Sequence, residues 1–198
     1  MQNHKENLDK NIDSLRLQKI FNDDSIRFYS EIYEFHFNTF TLWNNLDPQP
    51  EIEVDTESRT RLKKITVQKN TMELLLSSFD ALSSIIKRHN PGMDLSLMNN
   101  VLNEGTEGAE RIIKSVLESD STALEAMAAE CRMGVEELLF ILINWLKPLL
   151  VSLREKNYTS DNESYGEENC PFCGYLPDMG LYLGEKENRR YLHCQLCE

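Results

Sequence analysis

The chain has 198 residues, of which 40% are hydrophobic and 27% are charged, so its composition is that of a folded globular protein and excludes wholesale disorder. Its 21 basic and 33 acidic side chains give a net charge of −12 at pH 7. Such an excess of acid repels a phosphate backbone and gains nothing from an anionic membrane surface. We therefore expect neither nucleic acid nor membrane insertion, while self-association into a homo-oligomer stays open.

Residues 1–156 show the 3.6-residue periodicity of apolar side chains that predicts a multi-helical amino-terminal domain. The predicted caps of four of these helices are Asp24 with Ser25, Asp94, Thr106, and Ser121 with Thr122. Residues 51–57 alternate acidic and neutral side chains, and we favour a solvated linker there over a short strand. The predicted helices span about 6–21, 24–43, 70–89, 94–103, 106–119, 121–132 and 135–155.

The last of these helices is apolar on nearly every side and was therefore considered as a membrane span. Glu136, Glu137 and Lys147 interrupt it, so its uncharged stretch is shorter than the ~20 residues that a bilayer requires. We interpret it as a buried core helix, which Pro148 should kink or cut. Because the amino terminus also lacks the apolar region of a secretory signal, we expect a cytoplasmic protein.

Four of the five cysteines form two C-x-x-C pairs near the carboxyl end, Cys170 with Cys173 and Cys194 with Cys197. Polar residues 157–167 predict a linker before this segment. Two such pairs, joined by a predicted hairpin with strands 181–183 and 191–193 around a turn at 184–188, indicate a four-thiolate site for iron or zinc. Residues 168–198 are thus a predicted metal module of the rubredoxin or zinc-ribbon type.

Pro171, between the first two cysteines, and Gly174, directly after them, fit the tight turn of such a site. Pro171 fixes φ within the turn, and Gly174 can adopt the positive φ that lets the chain leave it. His193 is an alternative ligand next to the second pair, although four cysteines already complete a tetrahedral site. A thioredoxin-like redox pair is disfavoured because the βαβ pattern that would frame it is missing.

These motifs, Cys170-Pro-Phe-Cys-Gly174, Pro177 and Arg190-Tyr-Leu-His-Cys-Gln-Leu-Cys-Glu198, resemble the first half of the rubredoxin-like module of the formate dehydrogenase accessory (formation) proteins, the E-type family. The resemblance implies a cytoplasmic, non-enzymatic maturation factor that binds the catalytic subunit of a molybdenum- or tungsten-containing formate dehydrogenase. It also implies iron on the cysteines at positions 170, 173, 194 and 197. Because members of the family continue with a tryptophan-containing stretch and two further C-x-x-C pairs, the resemblance implies that the module here is incomplete.

Two other functions fit the same cysteines, namely a zinc-ribbon regulatory adaptor and a rubredoxin-like electron-transfer protein. The net charge argues against a nucleic-acid adaptor. The sequence contains neither a phosphate-binding glycine loop nor a nucleophile–histidine–acid set, so no motif in it indicates an enzyme. Cys131 is predicted to be a buried apolar residue, and His36 is predicted to be packed or to have its tip at the surface instead of binding a metal. The aromatic side chains of the helix at 24–43 exceed what one core face needs and so offer a candidate partner surface.

Overall fold

The computed structural model describes residues 21–54, 62–157, 169–175, 177–182 and 190–197. Within these ranges the chain forms six helices and two antiparallel pairs of strands, which confirms the mainly α fold. The predicted helix at 6–21 lies outside the described residues except for Phe21, and the predicted linker at 157–167 does so except for Asn157. The helices are α1 (Asp23–Asn45), α2 (Lys69–His89), α3 (Ser96–Asn103), α4 (Thr106–Leu117), α5 (Ser121–Glu130) and α6 (Val135–Asn157).

The helices begin within two residues of the predicted positions, but the cap of α1 differs from the predicted one. Asn22, rather than Asp24, accepts the hydrogen bond from the backbone N–H of Ser25, at 2.7 Å. An N-cap residue must itself be extended while its side chain reaches the N–H groups of the first turn, and Asn22 meets this condition. The predicted cap of α3 is also wrong: Leu95, rather than Asp94, is its N-cap and makes no side-chain cap hydrogen bond, although the carboxylate of Asp94 accepts from the N–H of Ser96 at 2.9 Å. The N-caps of α4 and α5 are Gly105 and Asp120, each one residue before the predicted position.

Helix α6 lies at the centre of the fold, as its apolar composition predicts. Leu138, Ile141, Leu142 and Leu146 are fully buried, and the helix contacts α1, α2, α4 and α5. Pro148 does not end it, and the helix continues for nine further residues to Asn157. Among the described helices, none combines the length and the apolar character that crossing a bilayer demands.

Trp145 joins α6 to α2 by both packing and hydrogen bonding. Its indole N–H lies 3.1 Å from the carbonyl oxygen of Leu75 and 3.0 Å from the hydroxyl of Ser78. Its ring meets that of Phe79 edge-on, with the ring centroids 5.4 Å apart. A buried indole needs a hydrogen-bond acceptor, so these contacts let the largest side chain of α6 lie in the core without an unpaired N–H.

Within the segment 51–57, which was expected to be a solvated linker, residues 51–54 form a strand instead, and residues 55–57 lie outside the described residues. Strand β1 (Glu51–Val54) pairs antiparallel with β2 (Leu62–Thr66), and Ile52 lies opposite Ile65. The alternation of acidic and neutral residues is that of a strand with one face towards the protein, since Leu62 and Ile65 of its partner are buried. In residues 21–54 and 62–157 this hairpin is therefore the one strand pair among the helices, and it lies against α4.

Helices α3 and α4 approach each other closely at Gly108. A Cβ atom built on this glycine would lie 2.3 Å from the carbonyl oxygen of Val101. Gly105, just before α4, has a φ of +89°, which favours glycine. The two glycines thus form a tight corner between helices.

The carboxyl-terminal segment forms the second hairpin, from β3 (Pro177–Tyr182) and β4 (Arg190–Cys194). Both strands were predicted, but each is longer than expected, and the connection at 183–189 lies outside the described residues. The buried core of the helices continues without a break into this segment, where it includes Phe172, Cys173, Cys194, Leu196 and Cys197.

Candidate metal centre

The first C-x-x-C pair lies in a tight turn that backbone hydrogen bonds close. The N–H of Gly174 donates to the carbonyl oxygen of Cys170 at 2.9 Å, and the N–H of Cys170 donates to the carbonyl oxygen of Tyr175 at 2.9 Å. Gly174 has the predicted positive φ, +74°. This turn, here called the first knuckle (residues 170–173), therefore directs both cysteine side chains to one side of the chain.

The hairpin brings the second pair to the first. Pro177, at the start of β3, lies opposite Cys194, at the end of β4, so the ladder places Cys194 close to the first knuckle. A turn over residues 195–197 follows and carries Cys197 back to the same place. We call residues 194–197 the second knuckle. Each predicted ligand is thus positioned by either a tight turn or a strand end.

The four sulfur atoms form one compact cluster, with every Sγ within 4.8 Å of the others. Two of the separations between the knuckles are 3.4 Å, from Cys170 to Cys197, and 3.5 Å, from Cys173 to Cys194. All four are free thiols, since a disulfide would bring its sulfurs to about 2.05 Å. A tetrahedral ion with metal–sulfur bonds of about 2.3 Å separates its ligands by about 3.8 Å, so this donor set fits zinc or iron with small adjustments.

Hydrogen bonds among the thiols change their acidity. The pKa of Cys170 is lowered because the thiols of Cys173, Cys194 and Cys197 can donate to its sulfur. The same sharing raises the pKa of Cys173 and of Cys197, and burial adds to both shifts. For Cys194, the hydrogen bond with Cys170 opposes ionisation, but those with Cys173 and Cys197 lower its pKa to about 7. The thiolate is the form of cysteine that binds metals. The lowered pKa values of Cys170 and Cys194 therefore favour cation binding near neutral pH.

The knuckles are attached to the helical part through their third residues, a feature that the sequence reasoning missed. Phe172 is 2% exposed and Leu196 is fully buried, and both belong to the continuous core. In addition, the backbone N–H of Leu62 in β2 donates to the carbonyl oxygen of Phe172 at 2.6 Å. The available signal was the apolar residue directly before the second cysteine of each pair, where an exposed turn would place a polar one.

Two other candidate residues, Cys131 and His36, lie outside the cluster. Cys131 is buried at the end of α5, where burial raises its pKa, as expected for a packed thiol. His36 is packed between α1 and α6, with its Nε2 atom 3.0 Å from the carbonyl oxygen of Asn144. Among the aromatic residues of α1, Phe35 and Trp43 are buried, whereas Tyr29 and Tyr33 are 56% and 37% exposed. The other three, Phe28, Phe37 and Phe40, are partly buried, so the aromatic side chains divide between core and surface.

The comparisons with known proteins concern the segment that holds the cysteines. A family model described as "FdhE, central domain" matches residues 169–198. Neither the curated proteins nor the solved structures contain a match to the chain. Over residues 169–198, the match confirms the resemblance to the formate dehydrogenase accessory proteins: this segment is similar to the central domain of FdhE.

Proposed function

We propose that this protein is a non-enzymatic maturation factor that binds the catalytic subunit of a formate dehydrogenase and carries one metal ion on Cys170, Cys173, Cys194 and Cys197. The observation that carries the proposal is the compact four-thiol cluster within a segment similar to the FdhE central domain. The net charge of −12 supports a protein rather than a nucleic acid as partner. Cytoplasmic location follows from the same proposal.

The four thiols would supply every ligand of a tetrahedral ion. Such a closed site leaves no open position for a substrate or an attacking water, so its ion stabilises structure or exchanges electrons instead of hydrolysing bonds. The protein residues hold the sulfurs in place: Gly174 closes the first knuckle, and the pairing of Pro177 with Cys194 aligns the second. A closed site whose surrounding residues only hold the ligands in place agrees with an assembly factor better than with a catalyst.

Partner binding is tested by capture of a purified formate dehydrogenase catalytic subunit on the immobilised full chain. We expect enrichment over an unrelated molybdoenzyme, and loss of that enrichment in Cys170→Ser/Cys173→Ser. Cys131→Ala is the matched control, because Cys131 is a buried cysteine that lies outside the cluster. Equal capture of the two enzymes by the unaltered protein would refute the proposed partner.

Electron transfer is a second candidate, favoured by one observation. Cys170 is only partly buried, whereas the other three cysteines are buried, so one ligand of the centre lies near the surface. An iron ion on four thiolates changes between two oxidation states, while zinc does not. Metal analysis of the protein as isolated therefore separates the functions: zinc removes electron transfer, and iron with a reversible one-electron wave supports it.

A further inference from the structure

The two knuckles of the metal centre share a pattern of burial. In each, the residue before the second cysteine lies in the core of the helical part, Phe172 at 2% exposure and Leu196 at 0%. The preceding residue is outside the core, since Pro171 is only partly buried and Gln195 is exposed. A turn that only presented ligands would have no need of a large apolar side chain on its inner side. The knuckles therefore present thiols on one side and pack against the helical part on the other.

Phe172 has a second link to the helical part through its backbone. Its carbonyl oxygen accepts the N–H of Leu62, the first residue of β2, at 2.6 Å. Leu62 itself is 3% exposed, so this hydrogen bond is formed where water cannot easily replace it. A movement of the first knuckle would therefore displace the start of β2 or break this hydrogen bond.

Strand β2 is connected to the helices at its other end. The N–H of Val67, directly after the strand, donates to a carboxylate oxygen of Glu110 in α4 at 3.0 Å. Ile65, between the two ends, is buried. Because an isolated two-stranded sheet is at best marginally stable in water, the β1–β2 hairpin depends on these contacts with its neighbours.

We propose that Phe172 is a positioning residue that transmits metal occupancy from the four cysteines to β2. A bound ion fixes the first knuckle, the knuckle fixes the side chain and carbonyl of Phe172, and these in turn hold Leu62 and the strand that follows. The surface formed by β2 and α4 then differs between the metal-loaded and the metal-free protein. This inference rests on the proposed metal centre. It adds a way in which a partner protein could distinguish the metal-bound from the metal-free form, by binding the surface of β2 and α4.

The test is hydrogen–deuterium exchange of the full chain, metal-free and after addition of one equivalent of zinc. We expect zinc to slow amide exchange in residues 62–67 by about tenfold or more, because a locally opening strand becomes protected. In Phe172→Ala the ion still binds but the slowing at 62–67 is lost, and Phe172→Leu restores a large part of it. Gln195→Ala, which changes an exposed residue between the other two cysteines, keeps the full slowing.

Cobalt(II) absorption separates the failure of this inference from that of the metal centre. If the unaltered chain shows no thiolate-to-cobalt bands, both the centre and the coupling are refuted. If the bands appear but zinc protects only residues 170–197, the centre stands and the coupling is wrong. Should Phe172→Ala not fold, Phe172→Leu decides the role of Phe172: a smaller slowing at 62–67 than in the unaltered chain supports the route, and an unchanged one overturns it.

Discussion

Metal binding should stabilise the helices and not only the hairpin that holds the cysteines. The perturbation is zinc at a free concentration of about 1,000 times Kd, which stabilises the native state by about 4.1 kcal/mol if the unfolded chain binds none. For a chain of this size, each kcal/mol raises Tm by roughly 2–4 °C, so the expected rise is about 8–16 °C. The reason is structural, because the buried core runs from α6 into Phe172, Leu196 and three of the cysteines.

Far-ultraviolet circular dichroism provides the assay, since all the helices of the described residues precede residue 158 and the hairpin contributes little to the helical signal. A hairpin that unfolded separately would leave the helical transition at the same temperature with or without zinc. Cys170→Ser/Cys173→Ser serves as control and should melt at one temperature under both conditions. An unchanged helical Tm in the unaltered chain, measured alongside proven zinc uptake, would refute the idea of a shared core and support two independent units.

Three further outcomes follow from the geometry. Gly108→Ala should lower the free energy of unfolding by about 1–2 kcal/mol, because the new methyl group would overlap the carbonyl oxygen of Val101. This cost exceeds the gain of about 1 kcal/mol that alanine brings to a helix. Urea denaturation measures the change, and a more stable variant would contradict the close approach of the two helices. Asn22→Ala should cost about 1 kcal/mol by loss of the cap on the N–H of Ser25, whereas Asp24→Ala in the same assay should cost less. Zinc affinity should fall by at least about tenfold from pH 8 to pH 6, since protons compete for the thiolates, and competition with a chromophoric chelator would detect it.

Sequence reasoning succeeded where one physical requirement determined the pattern. Apolar periodicity placed six helices, and the burial of α6 followed from its lack of a polar face. A tetrahedral ion needs four thiolates from two turns, and this requirement selects the four cysteines that the structure brings together, while their binding of a metal stays a prediction. The division into domains at 1–156 and 168–198 stays a prediction, because residues 158–168 lie outside the described part.

The features that were missed depend on contacts between distant parts of the chain. Strand β2 was not predicted because its buried residues, Leu62 and Ile65, do not alternate, and a shift of register occurs near Val54 in its partner. The docking of Phe172 could not be derived either, since nothing local states which surface a short turn will face. The predicted cap of α1 was two residues from the observed one at Asn22, because Asp24 offers an equally good capping side chain. Only the backbone conformation decides between the two residues.

The two tryptophans of the chain, Trp43 and Trp145, both lie in the helical part, each 1% exposed. Their surroundings differ, because the indole N–H of Trp145 has two acceptors while that of Trp43 has none among the described atoms. Tyrosine is the largest aromatic residue near the cysteines, so selective tryptophan excitation is silent about the hairpin itself. Zinc has no absorption band that could quench tryptophan by energy transfer, so a change of emission on adding zinc reports a change around Trp43 or Trp145 in the helices. Intrinsic fluorescence therefore measures whether binding of the ion alters the helical part.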